Sequence, residues 1–140
     1  MTIEFDDTLI TKNELIDSQH KELIERIKKF VDSCEQRDSK VTAINMLDYL
    51  VEYTDFHFSA EEKLQEEVNY PGLEEHKKKH EEFKKALRSL DDFLEESEGP
   101  TNAFVEQVKK NVVDWLFNHI KTFDRSVAEY IFMADNPPCL

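Results

Sequence analysis

The sequence predicts an all-α protein: an antiparallel, up-down-up-down four-helix bundle with a short N-terminal arm. Three observations carry this expectation. The 140 residues include only two glycines and four prolines, far fewer than average usage, so long helices meet few breakers. Apolar residues recur at steps of three and four along four successive segments, as amphipathic helices require. Turn-forming clusters separate these segments by short connections, which favour antiparallel neighbours. The length fits one compact domain, and residues 1–140 read as a single unit without internal repeat or linker.

The elements follow in order. The first dozen residues, MTIEFDDTLITK, read as a non-helical arm docked by Phe5. The first helix carries the seam Ile16, His20, Leu23, Ile27, Phe30 and Cys34. Ser39 is placed to cap the second helix. Its seam runs Ile44, Leu47, Leu50, Thr54, His57, Glu61, Leu64 and Val68. Asn69-Tyr70-Pro71-Gly72 is a turn signal. The third seam is Leu73, His76, His80, Phe83, Leu87, Leu90 and Leu94. Gly99-Pro100-Thr101-Asn102 ends that helix and offers Thr101 or Asn102 as the next cap. The fourth seam begins Val105, Val108, Val112, Trp115 and His119. The tail Asn136-Pro137-Pro138-Cys139-Leu140 cannot be helical throughout.

Charge and composition exclude several functions. A net charge of −13 repels phosphate backbones, so no nucleic-acid partner is expected. No apolar run approaches the roughly 20 residues that cross a bilayer, so no membrane partner is expected. There is no glycine-rich phosphate loop. The acidic N-terminus has no cationic region of a signal peptide. Cys34, read as mid-helix, and Cys139, in the tail, form no CxxC pair, and a reducing cytoplasm is the expected location.

All five histidines fall on the predicted core seams. One histidine on an apolar face is ordinarily a satisfied core residue. Five together, with Glu61 and Asp124 beside them, form a costly polar cluster unless something pairs them. His57 and Glu61 are four apart on one helix face, and so are His76 and His80. His20 and His119 add one imidazole each from the outer two helices, so only the bundle core can assemble the set. With no thiolate near these histidines, iron–sulfur clusters and zinc fingers are excluded, and calcium or magnesium would want an all-oxygen shell. Five imidazoles and two carboxylates suit two six-coordinate iron-type ions bridged by the carboxylates. Ferritin-like di-iron proteins use Glu-x-x-His pairs. Here the positions three before the histidines hold Asp17, Thr54, Leu73, Lys77 and Leu116.

The stretch WLFNHIKTFD sets His119 and Asp124 five apart. A regular α-helix would hold them about 140° apart. Counting on from Asp124 gives Val127 and Ile131, again at steps of three and four, so the seam resumes after one inserted residue. The spacing predicts a π-type bulge between about Asn118 and Asp124 that swings the carboxylate inward.

The elements IDSQHKEL around His20, HFSAEE from His57, HKKKHEEF from His76 and WLFNHIKTFD around His119 resemble hemerythrins of the single-domain bacterial kind. The likeness runs from about Phe5 to about Phe132. It implies a non-haem di-iron centre that binds dioxygen reversibly. His76, His80 and His119 would complete one iron and His20 and His57 would serve the other, which keeps a coordination position for dioxygen. Glu61 and Asp124 would bridge both, alongside an oxo or hydroxo group. Leu23, Phe58, Trp115, Leu116 and Ile120 would wall the oxygen pocket. Many relatives carry a tryptophan in the arm where this chain has Phe5. The implied role is oxygen storage, delivery or scavenging. No catalytic residue stands out. The alternatives are an enzyme that reduces peroxide or nitric oxide or oxidises ferrous iron, and an interaction bundle with a vestigial site. The sequence names no electron-donor protein.

Overall fold

A computed structural model describes residues 3–36 and 39–135. Among these residues the chain forms four long helices and no strand, the predicted architecture. Helix α1 is Glu14–Glu35, α2 is Lys40–Glu67 and α3 is Leu73–Glu96. Helix α4 covers residues 102–135 and is not uniform. Its α-helical stretches Asn102–Val108, Trp115–His119 and Arg125–Asp135 are joined by π-helical turns at Lys109–Asp114 and Ile120–Asp124.

Local chemistry explains the boundaries. The side chains of Asn13, Ser39 and Thr101 accept from the backbone N–H of Ile16, Thr42 and Phe104, satisfying a first-turn donor of α1, α2 and α4. Ser39 and Thr101 were both expected. Between α2 and α3 the chain reverses at Asn69, whose φ of 54° lies in the left-handed region that asparagine tolerates. A side chain at Gly72 would meet the Tyr70 ring at 2.8 Å, so glycine there lets the ring lie close over the turn.

The seams are buried largely as expected. All six predicted residues of α1 lie inside. On α2 the line departs below Glu61: Leu64 and Val68 are half-buried, while Gln65 is completely inside. Gln65 turns inward to meet His76, and the two apolar residues cover a flank of the bundle end. Ile44 and Leu73, near helix starts, are also half-buried. On α4 an unbroken seam was expected up to His119. Instead the π turn at Lys109–Asp114 absorbs one residue, so the buried line passes from Val112 to Val113 and on to Leu116, leaving Trp115 half-buried. Cys34 sits in the core one residue before the end of α1 rather than mid-helix, and Cys139 lies outside the described residues.

The apolar interior is in two parts. The larger cluster includes Leu23, Phe58, Phe83, Leu116 and Ile120, and the smaller one consists of Ile16, Val127, Ala128 and Ile131. His20 on α1 falls between Ile16 of the smaller cluster and Leu23 of the larger, and His119 and Asp124 on α4 fall between Leu116 of the larger and Val127 of the smaller. The polar cluster is therefore a layer across the bundle.

The arm differs from its expected form. Residues Asp7–Leu9 make a 3-10 turn, capped by Asp6, and the arm is anchored by Leu9, 1% exposed, and Ile3, 7% exposed, with Phe5 only half-buried. Leu9 and Ile3 are buried members of the larger cluster, and Phe5 packs against it from a half-buried position. The Asp17 carboxylate then clasps the arm. It accepts from Thr11 N–H at 2.9 Å, Thr11 hydroxyl at 2.7 Å and Lys12 N–H at 3.1 Å, and so holds Lys12 at φ 72°. Asp17→Ala is expected to lower thermal stability by roughly 1–3 kcal/mol, because it strands two backbone donors and a hydroxyl. Faster hydrogen exchange at the Thr11 and Lys12 amides would accompany it.

Candidate metal centre

Each helix delivers its polar side chains by ordinary periodicity, except the last. His20 comes from α1, His57 and Glu61 from successive turns of α2, and His76 and His80 from successive turns of α3. On α4 the π turn Ile120–Asp124 brings Asp124 back to the face of His119, as the five-residue spacing predicted. The two then stand 3.1 Å apart, Oδ1 to Nε2. None of these seven side chains belongs to a residue more than 3% exposed.

Both carboxylates divide their oxygens between two groups of imidazoles. Glu61 Oε1 lies 2.9 Å from His76 Nε2 and 3.6 Å from His80 Nε2, while its Oε2 lies 3.1 Å from His57 Nε2 and 4.0 Å from His20 Nε2. Asp124 repeats the pattern. Its Oδ1 faces His76 at 3.0 Å and His119 at 3.1 Å, and its Oδ2 faces His20 at 2.8 Å. Two sets result, Glu61, His76, His80, His119 and Asp124 in one, and His20, His57, Glu61 and Asp124 in the other. Within each set the facing atoms all lie within 4.8 Å of one another.

These atoms are close without being properly hydrogen-bonded. Nε2 of His20, His57 and His80, both Glu61 oxygens and Asp124 Oδ1 have no aligned partner despite the short distances. The polar atoms therefore crowd together without satisfying one another. His76 Nε2 and His119 Nε2 face each other at 2.9 Å, and at most one of them can carry the proton between them. Ligand atoms at right angles around one ion, with bonds of about 2.1 Å, stand about 3 Å apart. The donor set therefore fits two cations that share the carboxylates.

Charge balance points the same way. Burial and the neighbouring Asp124 push the Glu61 carboxyl up, but His57 and His76 outweigh them and hold it at about 2. Burial likewise opposes ionisation of Asp124, and His119 and His20 help to hold it well below the ordinary carboxylate range. Burial opposes protonation of His76, yet Asp124 and Glu61 raise it to about 9. His119 is lowered by burial and by adjacent His76. Two ionised carboxylates in the bundle core thus draw positive charge to His76 and His20.

Outer residues fix three of the rings. His57 Nδ1 pairs with Gln19 Oε1 at 2.7 Å and His80 Nδ1 with Glu62 Oε2 at 2.8 Å. Donation from these Nδ1–H groups leaves each Nε2 lone pair facing the centre. Gln65 meets His76 Nδ1 at 3.0 Å through its amide nitrogen, and its Oε1 has no partner. A half-turn of that amide presents Oε1 to an Nδ1–H and completes the same arrangement. Sequence reasoning missed Gln19, Glu62 and Gln65. The available signal was position: Gln19 and Glu62 adjoin seam residues, and Gln65 lies one turn beyond Glu61.

The expected wall residues are mostly deep inside. Leu23, Leu116 and Ile120 are 0% exposed and belong to the larger apolar cluster. Phe58 stacks on His80 at 3.8 Å and lies 5.8 Å from His57. Trp115 stacks on His119 at 4.5 Å, and Phe123, not anticipated, covers the same imidazole at 5.3 Å.

Comparison with known proteins agrees with this geometry. The Hemerythrin HHE cation binding domain matches residues 11–131. Bacteriohemerythrin of Pseudomonas aeruginosa is 30% identical over 125 residues, covering 89% of this chain and 78% of that protein. Myohemerythrin of Riftia pachyptila is 34% identical over 120 residues, 86% of each. Myohemerythrin of Sipunculus nudus is 34% identical over 111 residues, 79% of this chain and 78% of its own. With a matching domain over most of its length and relatives at this identity, the chain belongs to the hemerythrin family.

Proposed function

We propose that this chain holds two iron ions and through them binds dioxygen reversibly, for oxygen storage, delivery or scavenging in the cytoplasm. The hemerythrin family binds a di-iron centre and dioxygen. The observation that carries the reading for this chain is the division of each buried carboxylate between two imidazole sets. His76, His80 and His119 would hold one ion, His20 and His57 the other. Glu61 and Asp124 would bridge them, alongside an oxo or hydroxo group.

When bound, the iron pair supplies dioxygen with two electrons and recovers them on release. The chain's own residues set the conditions. Gln19, Glu62 and Gln65 orient imidazoles from outside. Phe58, Trp115 and Phe123 pack flat on ring faces and restrict imidazole movement. Leu23, Leu116 and Ile120 form an apolar wall that excludes water from the set with two imidazoles. That set has fewer protein donors and is where dioxygen would enter.

The direct test is optical. The reduced, iron-loaded protein is expected to develop near-ultraviolet and visible charge-transfer bands in oxygen and lose them on deoxygenation. Steady turnover of peroxide with a reductant, without reversible bands, would instead identify an enzyme. Fewer than one iron per chain after loading would identify an interaction bundle.

Ligand loss should be unequal. His57→Ala removes one of only two imidazoles from its set, and His80→Ala one of three. Both are expected to fall below two irons per chain, with the larger loss for His57→Ala, measured by metal analysis. Both should also lose metal-linked thermal stability. Retention of two irons and native oxygenation by both variants would refute the assignment.

Leu116→Ala tests the wall. The variant is expected to keep both irons and autoxidise faster, because space opens for water beside the centre. Truncating this fully buried side chain should also cost roughly 2–5 kcal/mol of stability in thermal denaturation. An unchanged autoxidation rate in the loaded, folded variant would place Leu116 outside the pocket.

A further inference from the structure

One buried hydroxyl in the bundle has no protein partner, and its position ties it to the centre. Helices α1 and α3 run opposite to α2 and α4. A step of three beyond the histidine on α1 or α3, and a step of three before it on α2 or α4, therefore reach the same side of the polar layer. Those steps lead from His20 to Leu23, from His57 to Thr54, from His80 to Phe83 and from His119 to Leu116. All four residues are 0% exposed. Three are apolar and members of the larger cluster. Thr54 is the exception.

A threonine or serine inside a helix usually returns its hydroxyl to a carbonyl one turn back. This chain does so elsewhere: Thr122 Oγ1 donates to the Asn118 carbonyl at 2.8 Å and Ser126 Oγ to the Thr122 carbonyl at 2.9 Å. Thr54 Oγ1 makes no such bond, and no other protein atom takes its place. A buried hydroxyl left unpaired is unfavourable, and valine would fill the same volume without that penalty. Thr54 lies one helical turn before His57, which belongs to the set with fewer protein donors.

We propose that the Thr54 hydroxyl is the hydrogen-bond donor for a small polar guest on the His20–His57 side of the centre. The guest is a ligand of two or three atoms with an acceptor end, dioxygen in function and azide as the experimental probe. The proposal rests on the di-iron reading above. Leu23, Phe83 and Leu116 give such a guest an apolar surround, and Thr54 gives it one directional contact. Thr54 thus acts as a specificity-determining residue, favouring ligands that accept a hydrogen bond over those of the same size that do not.

The test uses the full chain with Thr54→Val, which keeps the shape and deletes the hydroxyl, and Thr54→Ser, which keeps the hydroxyl. Azide is titrated into the oxidised, iron-loaded proteins and followed by visible absorption. Thr54→Val is expected to retain two irons and bind azide about threefold to tenfold more weakly, the range of one modest hydrogen bond. Thr54→Ser is expected to bind within about twofold of the parent, since the donor remains. In metal-free protein, the melting temperature of Thr54→Val is expected to equal or exceed that of the parent, because no protein hydrogen bond is lost. An unchanged azide affinity in Thr54→Val with both irons present would overturn the role of Thr54 and leave the di-iron reading standing. A lowered metal-free melting temperature in Thr54→Val would reveal a structural partner for the hydroxyl and overturn it equally. A parent protein that takes up no iron would overturn the di-iron reading, and this inference with it.

Discussion

Glu61 and Asp124 carry negative charge into the middle of the bundle, 2% and 1% exposed respectively. Removing an ionised carboxylate from water costs several kcal/mol even after relaxation. Close positive charge must offset that cost. The bundle meets the demand by surrounding two acids with five imidazoles drawn from all four helices. Much else follows. The helices must run antiparallel so that their polar turns fall at one level. The apolar core must divide around that level. The outer nitrogens of the rings need acceptors of their own, hence an amide at Gln65 and another at Gln19 in places where a core would ordinarily hold aliphatic side chains.

The same demand bends the last helix out of regularity. A π turn departs from regular α-helical hydrogen bonding, and such turns are rare and occur frequently at functional sites. Here the turn at Ile120–Asp124 lets one helix supply both His119 and a carboxylate to the centre. It also changes which side of the helix faces inward, so that Val127, Ala128 and Ile131 meet Ile16 in the smaller cluster.

The two π turns of α4 also mark the limits of reading a sequence. The second was legible because His119 and Asp124 are polar residues in an apolar run, and a phase slip between them shows. The first was not, since Val112, Val113, Trp115 and Leu116 are all apolar and any of them can fill a seam. The histidine seams and helix order were legible for the same reason as the second turn: periodicity and turn chemistry are local. Gln19, Glu62 and Gln65 were hidden because their roles depend on which ring nitrogen they face across the bundle, a fact of tertiary packing. The arm gave only its existence. Phe5 does pack against the core, but Leu9 and Ile3 are buried more deeply and Asp17 holds the backbone, and a clasp across six residues leaves no periodic trace.

The division of the core into unequal parts has a kinetic consequence. Local opening is easiest where least apolar surface holds the elements together. In this chain that is the end formed by Ile16, Val127, Ala128 and Ile131, directly beside Asp124. Ions held at the centre would come and go through partial opening of that end, while the larger cluster stays closed. The rate at which such ions exchange would then follow the packing of the smaller end more closely than that of the larger cluster.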